Sequence, residues 1–465
     1  MSAMTPRLHA ACRILAFMAA AVAVVASAAS RPAAQAPATR PGTNHVVFIS
    51  LDGFQALALD DPYLPLPTLR RLAANGAVAK AMQPVNPTVT WPNHTSMITG
   101  VTPARHGVLF NGLMVRKPGV PPVVEPWRDK SEMVRAPTLY DVAHAAGLTT
   151  AQVDWVAIWN APTITWEFRE RPDVAQAIPQ EMIKAGLISA DDVQSFGSRN
   201  IVWRDEMWTS AAAHIIRQHH PNLMLFHLLN LDSTQHRYGP RTPAAMTTMA
   251  HLDAQVARIV DAVEAAGLTS RTTFFVVSDH GFKTVKRHIR PNAAFAGAGL
   301  VTVIDGKVSK SEAYSVPEGG TAIVYVTAPD ASGAVLQRAK AALAGLEGIE
   351  RIVEPSEYAA FGLPRPEEND QMGALFLIAR DGYAFAGDAT GPAVVDVPPA
   401  SLGSHGYVST DPDLSALFIA SGRGIRKGAT LERMNTIDLG PTAARLLGVS
   451  LGTVQGRTLT EILAE

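Results

Sequence analysis

A threonine just before a predicted helix is the first residue of this sequence that could do chemistry. Thr90 lies in the segment PTVTWPNH, and we interpret the residues that follow as a short helix ending at Gly100. Unpaired backbone N–H groups collect at a helix start and favour negative charge there. A hydroxyl at that place can attack a phosphorus atom if a neighbouring group lowers its pKa. The alternative is that Thr90 only caps the helix.

Three carboxylates follow strongly apolar runs. Asp52 follows HVVFISL, Asp232 follows LMLFHLLNL, and Asp279 follows TTFFVVS, so we interpret each as the residue at which a buried strand ends. Ligands of open α/β sheets bind in the crevice beyond the carboxyl ends of the strands. Three acids at one such edge would repel one another unless cations lay between them. The sequence therefore predicts a metal site at this edge.

Histidines accompany these acids. His236 stands four residues after Asp232, which places both on one face of a helical turn, and His280 directly follows Asp279. His405 lies in the loop GSHGY, whose glycines allow a close backbone approach. Oxygen and nitrogen donors without thiolates suit zinc or a similar divalent ion. Each motif alone is common in structural roles, and the ordered set is the specific signal.

The alternation of apolar runs with amphipathic helices indicates the fold class. It predicts an α/β protein with a doubly wound, mostly parallel sheet and helices on both faces. Between residues 290 and 400 the elements become shorter and richer in glycine and proline, which predicts a small α+β inserted subdomain. The catalytic domain would then comprise residues 44–289 and 401–465.

The N-terminal segment is typical of a secretory signal peptide. Arg7 and Arg13 precede an apolar stretch that ends in Ala-Ser-Ala, so we expect cleavage after Ala28. Residues 1–28 would be removed and residues 29–43 would form a disordered leader. The alternative is a retained membrane anchor, although the apolar run is short for a bilayer span. The protein is thus predicted to be exported, either periplasmic or secreted.

Composition narrows the choice of partners. The formal net charge is −1, so no basic field indicates nucleic acid. The single cysteine, Cys12, lies in the predicted signal peptide, and no membrane span is predicted for the mature chain. We therefore expect a small-molecule partner, and a mature fold without disulfides.

Five stretches taken together resemble a known family. They are VVFISLDGF, NPTVTWPNHTSMITGVTPARHGVLFN, NLDSTQHRYGP, VVSDHGF and GSHGY. In this order they resemble the type I phosphodiesterase/nucleotide pyrophosphatase family of the alkaline phosphatase superfamily, in pieces from about residue 45 to 460. The resemblance implies an alkaline-phosphatase-like fold and two zinc ions, although other divalent metals stay open.

The resemblance also implies roles for individual residues. One zinc would be held by Asp232, His236 and His405. The other would be held by Asp52, Asp279 and His280, with Thr90 completing its coordination. Thr90 would attack phosphorus, and water would hydrolyse the phosphothreonine intermediate. Asn111 matches the asparagine of the family that donates to a non-bridging phosphate oxygen, a contact typically worth ~100-fold or more in rate.

Three tryptophans are candidates for substrate binding. Trp91 follows the nucleophile at the position where the family has an aromatic residue that stacks on a nucleobase. Trp155 or Trp159 could supply the opposite wall, and the alternative for each is a place in the hydrophobic core. Residues 111–166 lack the Trp-x-Gly-Glu-Pro stretch that is usual in the family.

The function predicted from all of these features is an exported metal-dependent hydrolase of phosphate esters. A phosphodiesterase or nucleotide pyrophosphatase acting on a nucleotide-like small molecule is the leading hypothesis. The alternatives with the same two-metal site are a phosphomonoesterase of the alkaline phosphatase type and a phosphonoacetate-type hydrolase. An alternative of another class is a catalytically inactive metal- or nucleotide-binding protein.

Overall fold

The structure is a computed structural model that describes residues 44–329 and 333–464. The predicted signal peptide (1–28) and leader (29–43) lie outside the described residues. Within the described ranges, no helix has both the length and the apolar character that a bilayer crossing requires.

Twelve strands form the two largest sheets. They are β1 (His45–Leu51), β2 (Gly76–Ala79), β3 (Thr150–Val153), β4 (Trp166–Phe168), β5 (Leu223–Leu228), β6 (Thr272–Val277), β7 (Ala313–Pro317), β8 (Thr321–Val326), β9 (Ile349–Val353), β10 (Leu375–Ala379), β11 (Phe418–Gly422) and β12 (Ala429–Leu431). The central sheet has the order β12-β2-β11-β6-β1-β5-β3-β4. Only β11 runs antiparallel to its neighbours in that sheet, so the predicted mostly parallel sheet is confirmed.

Helices cover both faces of the central sheet, as predicted. The principal helices are α1 (Pro67–Ala74), α2 (Thr90–Thr99), α3 (Leu139–Ala145), α4 (Ala177–Lys184), α5 (Ile201–His219), α6 (Asn230–Tyr238), α7 (Pro243–Ala265), α8 (Gly333–Leu343) and α9 (Leu439–Leu447). Helices α1, α5 and α7 pack in one hydrophobic core, and α2, α3 and α9 pack in the core on the other face. In β1, Val47 and Ile49 face the first core, whereas Val46 and Phe48 face the second. A strand buried on both faces in this way needs an uninterrupted apolar run.

A second sheet with the order β7-β8-β10-β9 is antiparallel and carries α8. It lies within the predicted insertion and has a hydrophobic core of its own. Another cluster joins this sheet to Leu109, Phe110 and Met114. The proposed boundaries at 290 and 400 stay a prediction.

The remaining strands form smaller sheets. They are Met82–Gln83, Leu113–Val115, Val123–Glu125, Lys283–Thr284, Arg287–Ile289, Val301–Ile304, Lys307–Ser311, Tyr383–Phe385, Val394–Asp396, Gly403–Ser404 and Met434–Asn435.

The position of Asp232 differs from the prediction. Strand β5 ends at Leu228, and Asp232 lies in the first turn of α6 rather than at a strand end. The helix starts early because the Asp205 carboxylate accepts hydrogen bonds from the backbone N–H groups of Leu229 (3.1 Å) and Asn230 (3.1 Å). Such an acid satisfies N–H groups that would otherwise lack partners. The interpretation of Asp232 as a strand-end residue was therefore wrong.

Candidate active site

Strand register brings two of the predicted acids together. In the parallel pair β1 and β6, Ser50 is paired with Val277. Continuing this register by two residues sets Asp52 beside Asp279. The backbone N–H of Gly53 donates to Asp279 Oδ1 (3.2 Å), which holds the turn after β1 against the turn after β6. The edge of the sheet thus positions these carboxylates through the backbone.

The first predicted donor set is completely buried. The ligand atoms of Asp52, Asp279 and His280 lie within 4.8 Å of one another. His280 Nε2 lies 3.1 Å from Asp279 Oδ2 and 3.5 Å from Asp52 Oδ1. The other ring nitrogen of His280 contacts the carbonyl oxygen of Gly281 (3.2 Å), so Nε2 is the atom that faces the two acids.

The second predicted donor set lies nearer the surface. Asp232 Oδ1 is 3.3 Å from His236 Nε2 and 3.6 Å from His405 Nε2. His236 Nδ1 contacts the carbonyl oxygen of Gly403 (3.2 Å), and His405 Nδ1 contacts that of Thr88 (3.0 Å). Backbone carbonyls that accept from Nδ1 leave Nε2 free as a metal donor, as is common around metal-binding histidines.

The two donor sets are neighbours. The imidazole rings of His280 and His405 stack with their centroids 3.9 Å apart and their planes at 14°. The loop that carries His405 is tightly enclosed, because a Cβ on Gly406 would lie 1.5 Å from the carbonyl oxygen of Glu318. Gly406 also has φ 76°, a left-handed conformation that favours glycine. The backbone at Glu318, within the predicted insertion, therefore packs closely against the loop of His405.

Electrostatics at this edge favour a bound cation. Burial and repulsion by the Asp279 and Asp232 carboxylates raise the pKa of Asp52 well above its usual range. Burial lowers the pKa of His280 to about 4 and that of His405 to about 3, so both imidazoles are neutral at neutral pH. Neutral imidazole is the form that binds metals. Positive charge between the acids would remove their mutual repulsion.

Unsatisfied polar atoms test whether these residues fit a metal. Within the part of the chain that the structure describes, several buried polar atoms lack a hydrogen-bond partner, and four of them are ligand atoms of the two donor sets. These four atoms are Asp52 Oδ1, Asp279 Oδ2, His280 Nε2 and Asp232 Oδ1. Leaving such atoms unpaired is costly, whereas one cation in each donor set would satisfy all four. The donor types and their unpaired atoms fit divalent cations, and the assignment of individual ligands stays a prediction.

Thr90 lies at the start of α2. Its side-chain Oγ1 donates to Asp52 Oδ2 over 3.4 Å, so the hydroxyl borders the first donor set. All ten residues of the helix are buried, and Gly100 ends it in a left-handed conformation (φ 69°). Val89 precedes the helix without a side-chain cap.

Asn111 lies beside the same helix start. Its Oδ1 accepts the backbone N–H of Trp91 at 2.9 Å. With the oxygen engaged, the Nδ2 amide is the part of the side chain that can donate to a ligand. Asn111 is exposed, whereas Thr90 is 6% exposed, so the site opens to solvent on the side of Asn111.

The three predicted substrate-binding tryptophans line one small cavity next to α2. Trp91 is 8% exposed. The Arg169 guanidinium lies over the Trp159 ring, 4.5 Å from the ring centroid. Trp155 is 3% exposed and packs edge-on against Phe48 and His94, so it is also part of a hydrophobic core. A role in substrate binding stays a prediction for all three.

The sequence analysis missed a histidine that supports the site. His227, in β5, donates from Nε2 to Asp52 Oδ2 (3.0 Å) and from Nδ1 to the carbonyl oxygen of Asp154 (3.1 Å). Burial lowers the pKa of this imidazole, but hydrogen bonds and charge from Asp154 and Asp52 outweigh that effect and raise it well above its usual range. The available signal was a lone polar residue inside the apolar run LMLFHLL.

The central sheet and the paired donor sets define an α/β protein of the alkaline-phosphatase-like fold with residues suited to two cations. The chain belongs to the type I phosphodiesterase/nucleotide pyrophosphatase family, whose sequence profile matches residues 46–408. The family resemblance drawn from the motifs is thus confirmed.

Curated relatives share this sequence pattern at low identity. Human ectonucleotide pyrophosphatase/phosphodiesterase family member 1 is 24% identical over 415 residues, which cover 85% of this chain and 39% of that protein. Human family member 7 is 24% identical over 434 residues, which cover 90% of this chain and 83% of that protein. The chain therefore spans about two fifths of the first relative and most of the second.

Solved structures of a murine relative share the fold. Murine ectonucleotide pyrophosphatase/phosphodiesterase 5 superimposes with a TM-score of 0.68 at 18% identity, covering 90% of this chain and 100% of that one. A structure of its inactive threonine-to-alanine variant in complex with AMP gives a TM-score of 0.67 at 18% identity, covering 91% and 100%.

Proposed function

We propose that this protein is a metal-dependent hydrolase that cleaves phosphodiester or phosphoanhydride bonds in nucleotide-like substrates. The observation that carries the proposal is the Thr90 hydroxyl, 3.4 Å from Asp52 Oδ2, at a helix start beside two clusters of metal-donor side chains. Family membership supports the same activity. So does the AMP complex of the murine relative, because it concerns a protein of the same fold.

The proposed metals are two zinc ions. Asp52, Asp279 and His280, with Thr90, would hold one, and Asp232, His236 and His405 would hold the other. Oxygen and nitrogen donors without thiolates suit zinc, and three side chains per ion leave positions for substrate. When bound, such ions lower the pKa of a hydroxyl and neutralise charge on a transferring phosphoryl group.

The chain itself would contribute a nucleophile and a fixed hydrogen-bond donor. Thr90 Oγ1 attacks phosphorus and releases its proton to solvent, and the bond to the leaving oxygen breaks as the phosphothreonine ester forms. Water then attacks the same phosphorus and returns the hydroxyl of Thr90. During both steps, the Asn111 amide can donate to a non-bridging oxygen.

Loss of the Asn111 amide gives a testable outcome. We expect Asn111→Ala to lower kcat by roughly 10²-fold, because a donor aimed at charge that develops in the transition state is removed. KM should change less. Steady-state kinetics on a chromogenic diester would measure both constants, with Asn75→Ala, at an exposed asparagine after α1, as the matched control. Equal kcat values for Asn111→Ala and the unmodified protein would exclude this role.

His227 gives a second outcome, because it positions Asp52 and touches no substrate. We expect His227→Phe, which keeps a ring but removes both N–H donors, to weaken zinc binding by about 10- to 100-fold. His227→Gln should recover part of the loss through one remaining donor. Activity measured against free zinc concentration would show a rightward shift for His227→Phe. A lower plateau with an unchanged zinc midpoint would contradict the positioning role.

The nucleotide is proposed to bind through aromatic stacking near Thr90. Trp91 adjoins the nucleophile in sequence, and Trp155 and Trp159 line the same cavity. Aromatic faces bind bases through stacking and hydrophobic burial.

Export through a signal peptide cleaved near Ala28 is proposed on the N-terminal sequence alone, and the relatives' description as ectonucleotide enzymes agrees with it.

Substrate comparison tests the proposed function. Rates on bis-(p-nitrophenyl) phosphate and p-nitrophenyl phosphate would distinguish a diesterase from a monoesterase, and we expect the diester to be preferred. ATP, a dinucleotide and a lipid head-group diester complete the panel. Preference for the monoester would favour a phosphomonoesterase of the alkaline phosphatase type. Turnover of phosphonoacetate would favour the phosphonoacetate-type hydrolase. Metal or nucleotide binding without turnover of any substrate would indicate the inactive binding protein.

A further inference from the structure

Two histidines and a glutamate converge away from the active site. Glu181 comes from α4, and His214 and His219 come from the C-terminal half of α5. Glu181 Oε2 lies 3.0 Å from His214 Nε2 and 2.8 Å from His219 Nε2. The ligand atoms of all three residues lie within 4.8 Å of one another. None of the proposed catalytic residues belongs to either helix.

The donor types match a transition-metal site. Imidazole nitrogen and carboxylate oxygen are ligands of zinc, nickel and copper, and three protein ligands leave a position for water. Zinc bonds of about 2.0–2.2 Å imply ligand separations of roughly 3.3 Å in a tetrahedral site. The two glutamate–histidine distances are within about 0.5 Å of that value, so small side-chain rotations would admit the ion.

The side chains are partly preorganised. The His214 and His219 side chains are 9% and 15% exposed, whereas Glu181 is 35% exposed and faces an open concavity. The His219 ring stacks on Trp166 with centroids 3.8 Å apart and planes at 22°, which limits rotation of the imidazole. Lys184 borders the same concavity, so its ammonium group would oppose a cation and moderate the affinity.

We propose that Glu181, His214 and His219 form a separate binding site for a transition-metal cation, which ties α4 to the end of α5. This site does not depend on the function proposed above. Because the ion would bind the folded chain and not the unfolded one, it would stabilise the edge of the central sheet at which Trp166 begins β4. The competing interpretation is a Glu181 carboxylate that only accepts hydrogen bonds from two imidazoles.

Metal counting tests the site. Full-length protein would be dialysed to equilibrium against micromolar free zinc and its zinc measured by plasma mass spectrometry. Compared with the unmodified protein, we expect His219→Ala and Glu181→Gln each to bind one ion fewer per chain. His251→Ala is the matched control, because His251 faces one carboxylate, Glu206 Oε1 at 3.4 Å, without a second histidine. It should bind as many ions as the unmodified protein.

A spectroscopic readout distinguishes this site from the active site. Cu²⁺ bound through His219 would lie next to Trp166, so titration with Cu²⁺ should quench part of the tryptophan fluorescence. His219→Ala and Trp166→Phe should lose that component, and diester hydrolysis should be unchanged in Glu181→Gln. Equal zinc content in all variants, or quenching unchanged in His219→Ala, would overturn the proposal and leave the hydrogen-bonded cluster as the explanation.

Discussion

Thr90→Ala is expected to lower the rate of diester hydrolysis by at least about 10³-fold, because the attacking oxygen is removed. In the proposed mechanism, the Thr90 hydroxyl forms the covalent bond to phosphorus, and only 6% of the residue is exposed. Thr90→Ser keeps a hydroxyl at the same place and should retain measurable activity. Steady-state rates on a chromogenic diester would measure the loss.

Two controls separate lost chemistry from lost structure. Thr99→Ala removes a buried hydroxyl from the same helix, where it donates to the Thr95 carbonyl at 2.7 Å, and should leave the rate largely intact. Thermal unfolding of Thr90→Ala should match that of the unmodified protein within a few degrees. Radiolabelled phosphate from a labelled substrate should be trapped on the unmodified chain after acid quenching and be absent from Thr90→Ala. A fully active Thr90→Ala variant would refute the proposed mechanism.

Removal of metal is expected to have an effect of similar size. Dialysis against a chelator should abolish hydrolysis, and added zinc should restore it, because charge neutralisation at the transferring phosphate is worth several kcal/mol, roughly 10³-fold or more in rate. The midpoint of thermal unfolding should also fall. Without cations, burial of Asp52 and repulsion by the Asp279 and Asp232 carboxylates raise the pKa of Asp52.

A single substitution in the first donor set also tests whether hydrolysis depends on metal. Asp279→Asn keeps the shape and the acceptor of the Gly53 N–H but removes the charge, so we expect a loss of about 10³-fold and weaker zinc binding. Asp261→Asn, at an exposed carboxylate of α7, is the matched control. Activity that survives both exhaustive chelation and Asp279→Asn would rule out a metal-dependent reaction.

Strand ends were the most informative part of the sequence. The apolar runs before Asp52 and Asp279 correspond to β1 and β6, and the parallel register sets the two acids side by side. Asp232 was misplaced because a side chain distant in sequence, Asp205, starts α6 early. Propensity within a short window cannot report a cap that comes from another helix.

The residues that support the donor sets could not be identified from the ends of predicted strands. His227 is isolated in an apolar strand, and its partners Asp52 and Asp154 come from two other segments of the chain. The backbone of Asp154 has φ 55°, and β3 ends at the residue before it, Val153. All three predicted tryptophans line the cavity near α2, and Trp155 and Trp91 also pack in hydrophobic cores, which is a matter of packing rather than of residue type.

The order of motifs, the periodicity of apolar residues and the types of donor were determined by the sequence itself, because these are properties of neighbouring residues. They predict the α/β class, the family and the candidate nucleophile. Tertiary structure alone decided which donors meet: the stacking of His280 on His405, the support of Asp52 by His227, and the convergence of Glu181 with two histidines of α5. Contacts of this kind depend on strand register and helix packing between segments far apart in the chain, and no local pattern encodes them.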